Sequence, residues 1–248
     1  MRILISAFLF LSLLCGLRYS KTHAAAATNT GYGKTDTTFI LREFDTSAHN
    51  YISYHAVYIE KNRDSRFYKR RLDFKMHADD SSLYVDNLLD LKAHFKLFRK
   101  HRAEGLPTQW LPLNLYKGKY YIYFPSEWGE EDSKLLTDST LVEATIEGPW
   151  PQAILSLNKL SKSTWFLKTY SPDWSDHKIR RVTIHIVNPE NKMAVWEYMD
   201  ETGINRYELC IPSAYADHYD MVVNYCMQNR TAEFMFDRID YKRLLKHR

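Results

Sequence analysis

Several groups of side chains have types and spacings that could do chemistry. Asp173, Asp176 and His177 form one polar cluster, and Asp217, His218 and Asp220 form another. Carboxylate oxygens and imidazole nitrogens are ligands for divalent metals. Neither cluster has the His-Glu-x-x-His spacing of a zinc site or the oxygen-dense pattern of a calcium loop. Asp and His are ordinary in loops between strands, so no metal and no cofactor is assigned. Glu127, Glu130, Glu131 and Glu143 could supply the two acids of a carboxylate-dependent hydrolase. Glycoside hydrolysis needs such a pair about 5 to 9.5 Å apart in a cleft, whereas the first three sit in one acidic run that fits a solvent loop. There is no Gly-x-Ser-x-Gly elbow, and neither Cys210 nor Cys226 carries a catalytic signature. Gly33-Lys34-Thr35 lacks the glycine at position 28 that a phosphate-binding loop requires, since Thr28 stands there. No catalytic residue is assigned.

The aromatic residues carry the remaining functional signal. On the strands described below, Tyr116, Tyr121, Tyr123 and Trp196 fall on faces opposite the expected core. Rings with an apolar body and a polar tip suit the wall of an amphipathic ligand's cavity. The same residues are also ordinary strand formers, for which packing alone is explanation enough.

The elements that would position these residues are mostly hairpins. Leu111 to Phe124 turns at Lys117-Gly118, with Leu115 opposite Tyr120, Leu113 opposite Ile122 and Leu111 opposite Phe124. Pro112 suits only an edge or outer pairing position. Tyr51 to Glu60 and Phe67 to Met76 read as a second hairpin. Arg181 to Val187 and Lys192 to Met199 read as a third, in which Val182, Ile184 and Ile186 meet Met193 and Val195. A last hairpin turns at Asn229-Arg230 and sets Val223, Tyr225 and Met227 against Phe236, Phe234 and Ala232. Shorter strands are expected at Thr38 to Arg42, around Val142, Ala144 and Ile146, around Ala153, at Trp165 to Tyr170 and around Leu209, with Gly148, Pro149 and Pro151 as breakers. One helix is expected, capped by Asp86, with Leu88, Leu91, Phe95 and Phe98 along its apolar face.

The chain opens with Met1-Arg2, an apolar run from Ile3 to Leu14 and the small residues Ala24 to Ala27. This is the pattern of a secretory signal peptide, here residues 1–26, and the run is short for a bilayer span of about 20 residues. Lipid attachment at Cys15 is the alternative, against which the bulky Leu13-Leu14 argues. Removing Arg2, Arg18 and Lys21 with this segment takes the formal charge from +4 to +1, which gives no reason to expect nucleic acid as a partner.

The reading that results is an all-β, mainly antiparallel meander of hairpins. It closes into a barrel or barrel-like sandwich of about a dozen strands with one amphipathic helix. Residues 27–37 are a flexible leader, 38–240 a single β-rich domain and 241–248 a basic, solvated tail. Tyr120 to Ser126 echoes Tyr207 to Ser213, which suggests a duplicated four-strand unit over 110–158 and 196–238. The function expected is exported, non-catalytic binding of a small apolar or amphipathic ligand. The alternative is a cell-envelope or extracellular module that binds protein or glycan, with a hydrolase third.

Overall fold

The computed structural model describes residues 38–45, 53–74, 78–95, 98–126, 132–145, 148–171, 178–199, 203, 205–226 and 231–246. The expected signal peptide and leader, the acids Glu127, Glu130 and Glu131, and the cluster Asp173, Asp176 and His177 lie outside these residues. The strands among the described residues are Thr38–Asp45 (β1), Ser53–Glu60 (β2), Gln109–Tyr116 (β3), Lys119–Phe124 (β4), Lys134–Leu136 (β5) and Thr140–Thr145 (β6). They continue with Gly148–Lys159 (β7), Thr164–Ser171 (β8), Lys178–Asn188 (β9), Met193–Met199 (β10), Asn205–Pro212 (β11) and Met221–Cys226 (β12). Helices span Arg66–Leu72 (α1), Ala78–His94 (α2) and Tyr241–Lys246 (α3). None of the described helices is long and apolar enough to cross a membrane.

From β5 to β11 each strand pairs antiparallel with the next, as a meander should. β11 then pairs with β3, and β3 with β5, so eight strands close into a barrel. β3 is the branch point. Gln109 and Trp110 pair with β5, whereas Leu113 to Tyr116 pair with β4, which leads on to β12, β2 and β1 as an open extension. Leu111 and Pro112 fall between the two partners on that edge. A residue without an N–H suits this gap, because it leaves one donor fewer unpaired.

The central hairpin forms in the expected register from Tyr116–Lys119 back to Leu113–Ile122. Lys117 and Gly118 take the positive φ values, 48° and 76°, of a tight hairpin turn. Beyond Leu113 the strands part, and Leu111 pairs with Ile211 instead of Phe124.

The barrel is filled by its own side chains. Trp110, Trp165, Trp196, Leu167, Ile184 and Val182 form one buried cluster inside it. Each tryptophan buries about 150–250 Å², worth at most about 4–6 kcal/mol at about 25 cal/mol per Å². A second cluster lies on the outer side of β3, β4, β10, β11 and β12, where Leu111, Ile122, Val195, Leu209 and Val223 pack under Tyr68 of α1. These strands are therefore covered on both faces.

Several local expectations are corrected. Residues 66–72 are a helix, not a strand. Ser65 caps it by accepting from the Tyr68 N–H, and β2 has no edge left for another strand because β1 and β12 take both. Residues 231–237 do not pair with β12, since β2 and β4 hold both of its edges. They lie across the face of the extension, anchored by a bridge between Leu115 and Asp237. In the β9–β10 hairpin an irregularity next to Met193 shifts the register by one residue, so Ile184 faces Trp196 and Ile186 faces Ala194. Pro149 and Pro151 do not break a strand but sit within β7, opposite Ala144 and Val142 of β6, before the β8 pairing starts at Ala153. The helix over β7 starts at Ala78, well before Asp86, and ends before Phe98. Residues 241–246 are not a solvated tail but form α3, whose Leu244 and Leu245 pack on the outer cluster.

Candidate functional site

The gap along β3 is where the candidate site forms. A cavity of about 220 Å³ opens there, with Pro112, Phe234 and Phe236 as the apolar part of its lining. Arg71, Asn114, Tyr123, Asp132 and Glu233 are the polar part. Arg71 reaches in from α1 and is 2% exposed. Its Nε donates to the Tyr123 carbonyl at 3.0 Å, and its guanidinium also donates to the Ser133 hydroxyl. One buried cation thus ties the end of β4 to the start of β5 across the split.

Tyr123 is the hub of the cavity's polar contacts. Its hydroxyl donates to Glu233 and accepts from the Asn224 amide and the Phe234 N–H, both at 3.1 Å. Burial, and then the Glu233 carboxylate, push this hydroxyl well above the ordinary tyrosine range, so it stays protonated. Glu233 also accepts from the Ser126 hydroxyl and N–H. Asn224 is held in turn by His55, with Nε2 2.8 Å from its side-chain oxygen, while His55 Nδ1 lies 3.2 Å from Glu43. This chain of contacts fastens residues 231–237 over the extension as a strap.

A second polar group reaches into the barrel, where Lys134 Nζ lies 5.9 Å from the centre of the Trp196 ring. Lys134 Nζ lies 2.5 Å from Glu208 in an ion pair and donates to the Asp132 carbonyl at 2.9 Å. Arg206 meets the other Glu208 oxygen at 2.9 Å. Glu143 accepts from Tyr198 at 3.1 Å and from Gln152 at 2.7 Å, and pairs with Arg180 at 3.3 Å. Burial alone would raise the Glu208 carboxyl, but Lys134 and Arg206 hold it below the usual range. Burial alone would lower the Lys134 ammonium, but Glu208 keeps it above the ordinary lysine range. Residues 132–134 connect the two groups: Asp132 lines the cavity, Ser133 meets Arg71 and Lys134 turns into the barrel.

Of the four aromatic residues singled out from sequence, Tyr116, Tyr121 and Tyr123 pack in one cluster with Phe234 and Phe236, while Trp196 lies apart from them. Tyr116 and Tyr121 lie on the extension, where Tyr116 meets Phe234 edge-on at 5.2 Å. Tyr123 lines the cavity with Phe236 at 5.0 Å from its ring. Trp196 is inside the barrel, edge-on to Trp110 at 5.5 Å. Of the candidate metal ligands, His218 lies 3.7 Å from Asp217, while Asp220 is engaged by Arg63 at 2.9 Å. No group of three His, Cys, Asp or Glu converges among the described residues. Glu143 does meet the barrel network, but Lys134, Tyr198 and Glu208 were not legible as members of it, nor Arg71 as part of the cavity. The signal lay in their alternation: Lys134 and Leu136, or Glu208 and Cys210, share a strand face in each pair.

No family model, curated protein or solved structure matches the chain.

Proposed function

We propose that this is an exported, non-catalytic binding protein that takes a small amphipathic ligand in the cavity at the branch of β3. The observation that carries the reading is the mixed lining of that cavity. Pro112, Phe234 and Phe236 offer apolar surface, and Arg71, Asn114 and Asp132 offer polar groups that would orient a ligand's head. The barrel interior is the poorer place for a ligand, because Trp110, Trp165 and Trp196 fill it. At about 220 Å³ the cavity is below the usual 300–1,000 Å³ of drug-sized sites, so the ligand is small. Glu208 is a poor candidate for the protonated acid of a hydrolase, because Lys134 and Arg206 hold its carboxyl below the usual range, and such a pair needs one carboxyl that keeps a proton near neutral pH.

Native mass spectrometry of gently purified protein tests this. A retained small molecule is expected, and Asn114→Trp, which fills the cavity, should abolish its retention at little cost in melting temperature. Retention unchanged by that substitution would place the ligand elsewhere. N-terminal sequencing of the protein recovered outside the cytoplasm should begin near Ala26 or Ala27, and an intact residue 1–26 segment in a cytosolic fraction would end the export reading.

A second reading, a cell-envelope or extracellular module for protein or glycan, draws on β1. Phe39 and Phe44 are 46% and 58% exposed on this strand, which has β2 as its neighbour on one edge. Exposed aromatics on an outer strand are a natural contact surface.

A further inference from the structure

We infer that the protein has a separate docking surface, a basic face formed by α1 and α3 that lies against an anionic lipid bilayer. Neither helix contains an acidic residue: α1 reads Arg-Phe-Tyr-Lys-Arg-Arg-Leu and α3 reads Tyr-Lys-Arg-Leu-Leu-Lys. Both cover the same side of the sheet, α1 through Phe67, Tyr68 and Leu72 and α3 through Leu244 and Leu245. Burying those residues turns the cations outward. Arg66, Lys69, Arg70, Lys242, Arg243 and Lys246 are all exposed.

The sheet fixes how the two sets of charges lie. The Arg70 guanidinium sits 5.5 Å from the centre of the Phe124 ring on β4. On α3, Tyr241 stacks on Tyr207 of β11 with ring centroids 5.4 Å apart. β4 and β11 flank β3 on its two edges, about 10 Å apart at about 4.8 Å per strand. The two helices therefore lie side by side on one side of the sheet and present a single patch.

This patch is not neutralised locally. Among the described residues the ion pairs involve none of the six cations. Asp64, Asp73 and Asp240 flank the helices, and Asp240 is turned to cap α3 through the Arg243 N–H at 3.0 Å. Downstream of residue 26 the formal charge is only +1, so the concentration on this face is local and the balancing acids lie elsewhere.

The shape of the patch favours a bilayer over a nucleic acid strand. Single strands bind where bases can stack on free rings, but Arg66 covers Phe67 at 4.8 Å and Tyr225 at 5.6 Å, and Arg70 covers Phe124. What remains is a set of guanidinium and ammonium groups over an area, which suits headgroups in a plane. Each cation close to an anionic membrane contributes roughly fivefold to partitioning.

Vesicle co-sedimentation tests this with the full chain. Vesicles of phosphatidylcholine alone are compared with vesicles containing 30% (about one lipid in three) phosphatidylserine. Binding is expected only to the anionic vesicles, falling more than tenfold from about 0.05 M to 0.5 M salt. Neutral vesicles report any charge-independent insertion of the apolar N-terminal run. Lys69→Glu, Lys242→Glu and Lys246→Glu together should abolish anionic-vesicle binding with the melting temperature unchanged. Lys92→Glu, Arg99→Glu and Arg102→Glu, an equal charge change near α2, should leave it intact. The inference is overturned if both triple variants lose binding equally, if wild type ignores anionic vesicles, or if it binds polyphosphate or DNA and not vesicles. Retention of the cavity ligand is expected to be unaffected by any of these variants, so the two proposals stand or fall separately.

Discussion

Lys134 and Glu208 meet inside the barrel, Nζ to Oε2 at 2.5 Å, with side chains 2% and 17% exposed. Replacing one member leaves the other buried without its main partner, which costs about 3–5 kcal/mol, whereas replacing both by apolar residues is often neutral. Lys134→Met should therefore destabilise the protein by about that amount, and Lys134→Met with Glu208→Leu should recover most of the loss. Urea unfolding of the two variants and wild type makes the comparison, and an additive double variant would show that the pair is not coupled.

The same pair sets a stability window in pH. The folded-state carboxyl of Glu208 is lowered, so its contribution is present above the unfolded value, about 4.3, and is lost as pH falls through the folded one. The folded-state ammonium of Lys134 is raised, so its contribution is complete below the unfolded value, about 10.4, and is lost as pH rises through the folded one. Stability from this pair should be level between those limits and fall on both sides. Melting temperatures from pH 3 to 11 in steps of about one unit check this, and Lys134→Met should blunt the acid limb.

Cys210 lies opposite Pro112 at the edge of the network and is fully buried. Burial pushes its thiol up to about 12. A thiol that is neither ionised nor accessible does not react, so aromatic disulfide reagents at pH 8 (about four units below that value) should leave Cys210 unmodified until the protein unfolds. Peptide mapping after brief labelling reports this directly. Rapid labelling of Cys210 in folded protein would contradict its placement.

The Tyr123 hydroxyl should hold the strap. Tyr123→Phe leaves the Asn224 amide, the Phe234 N–H and Glu233 short of a partner. Losing a buried partner of this kind costs about 1–3 kcal/mol. The strap should open before the sheet does, so limited proteolysis ought to cut the variant within residues 231–237 faster than wild type. Equal cleavage rates would show that Phe234 and Phe236, and not the hydroxyl, fasten the strap.

The sequence by itself determined the strand-rich class, the meander and the central hairpin, because these depend on local chemistry. Lys117-Gly118 can take the positive φ of a tight turn, and the alternation around it then sets Leu113 against Ile122. Tertiary structure decided which face of a strand is inside. Val195 and Leu209 are buried outside the barrel while Trp196 and Cys210 are buried within it, so alternation marks two interiors and cannot say which is which. It also decided which segments become strands. β2 has its edges filled by β1 and the distant β12, and β12 by β2 and β4, so residues 66–72 and 231–237 were left to form a helix and a strap. The cavity belongs wholly to this second level. Arg71, Pro112, Asp132 and Glu233 are far apart in the chain, and they meet because β3 changes partners between Trp110 and Leu113.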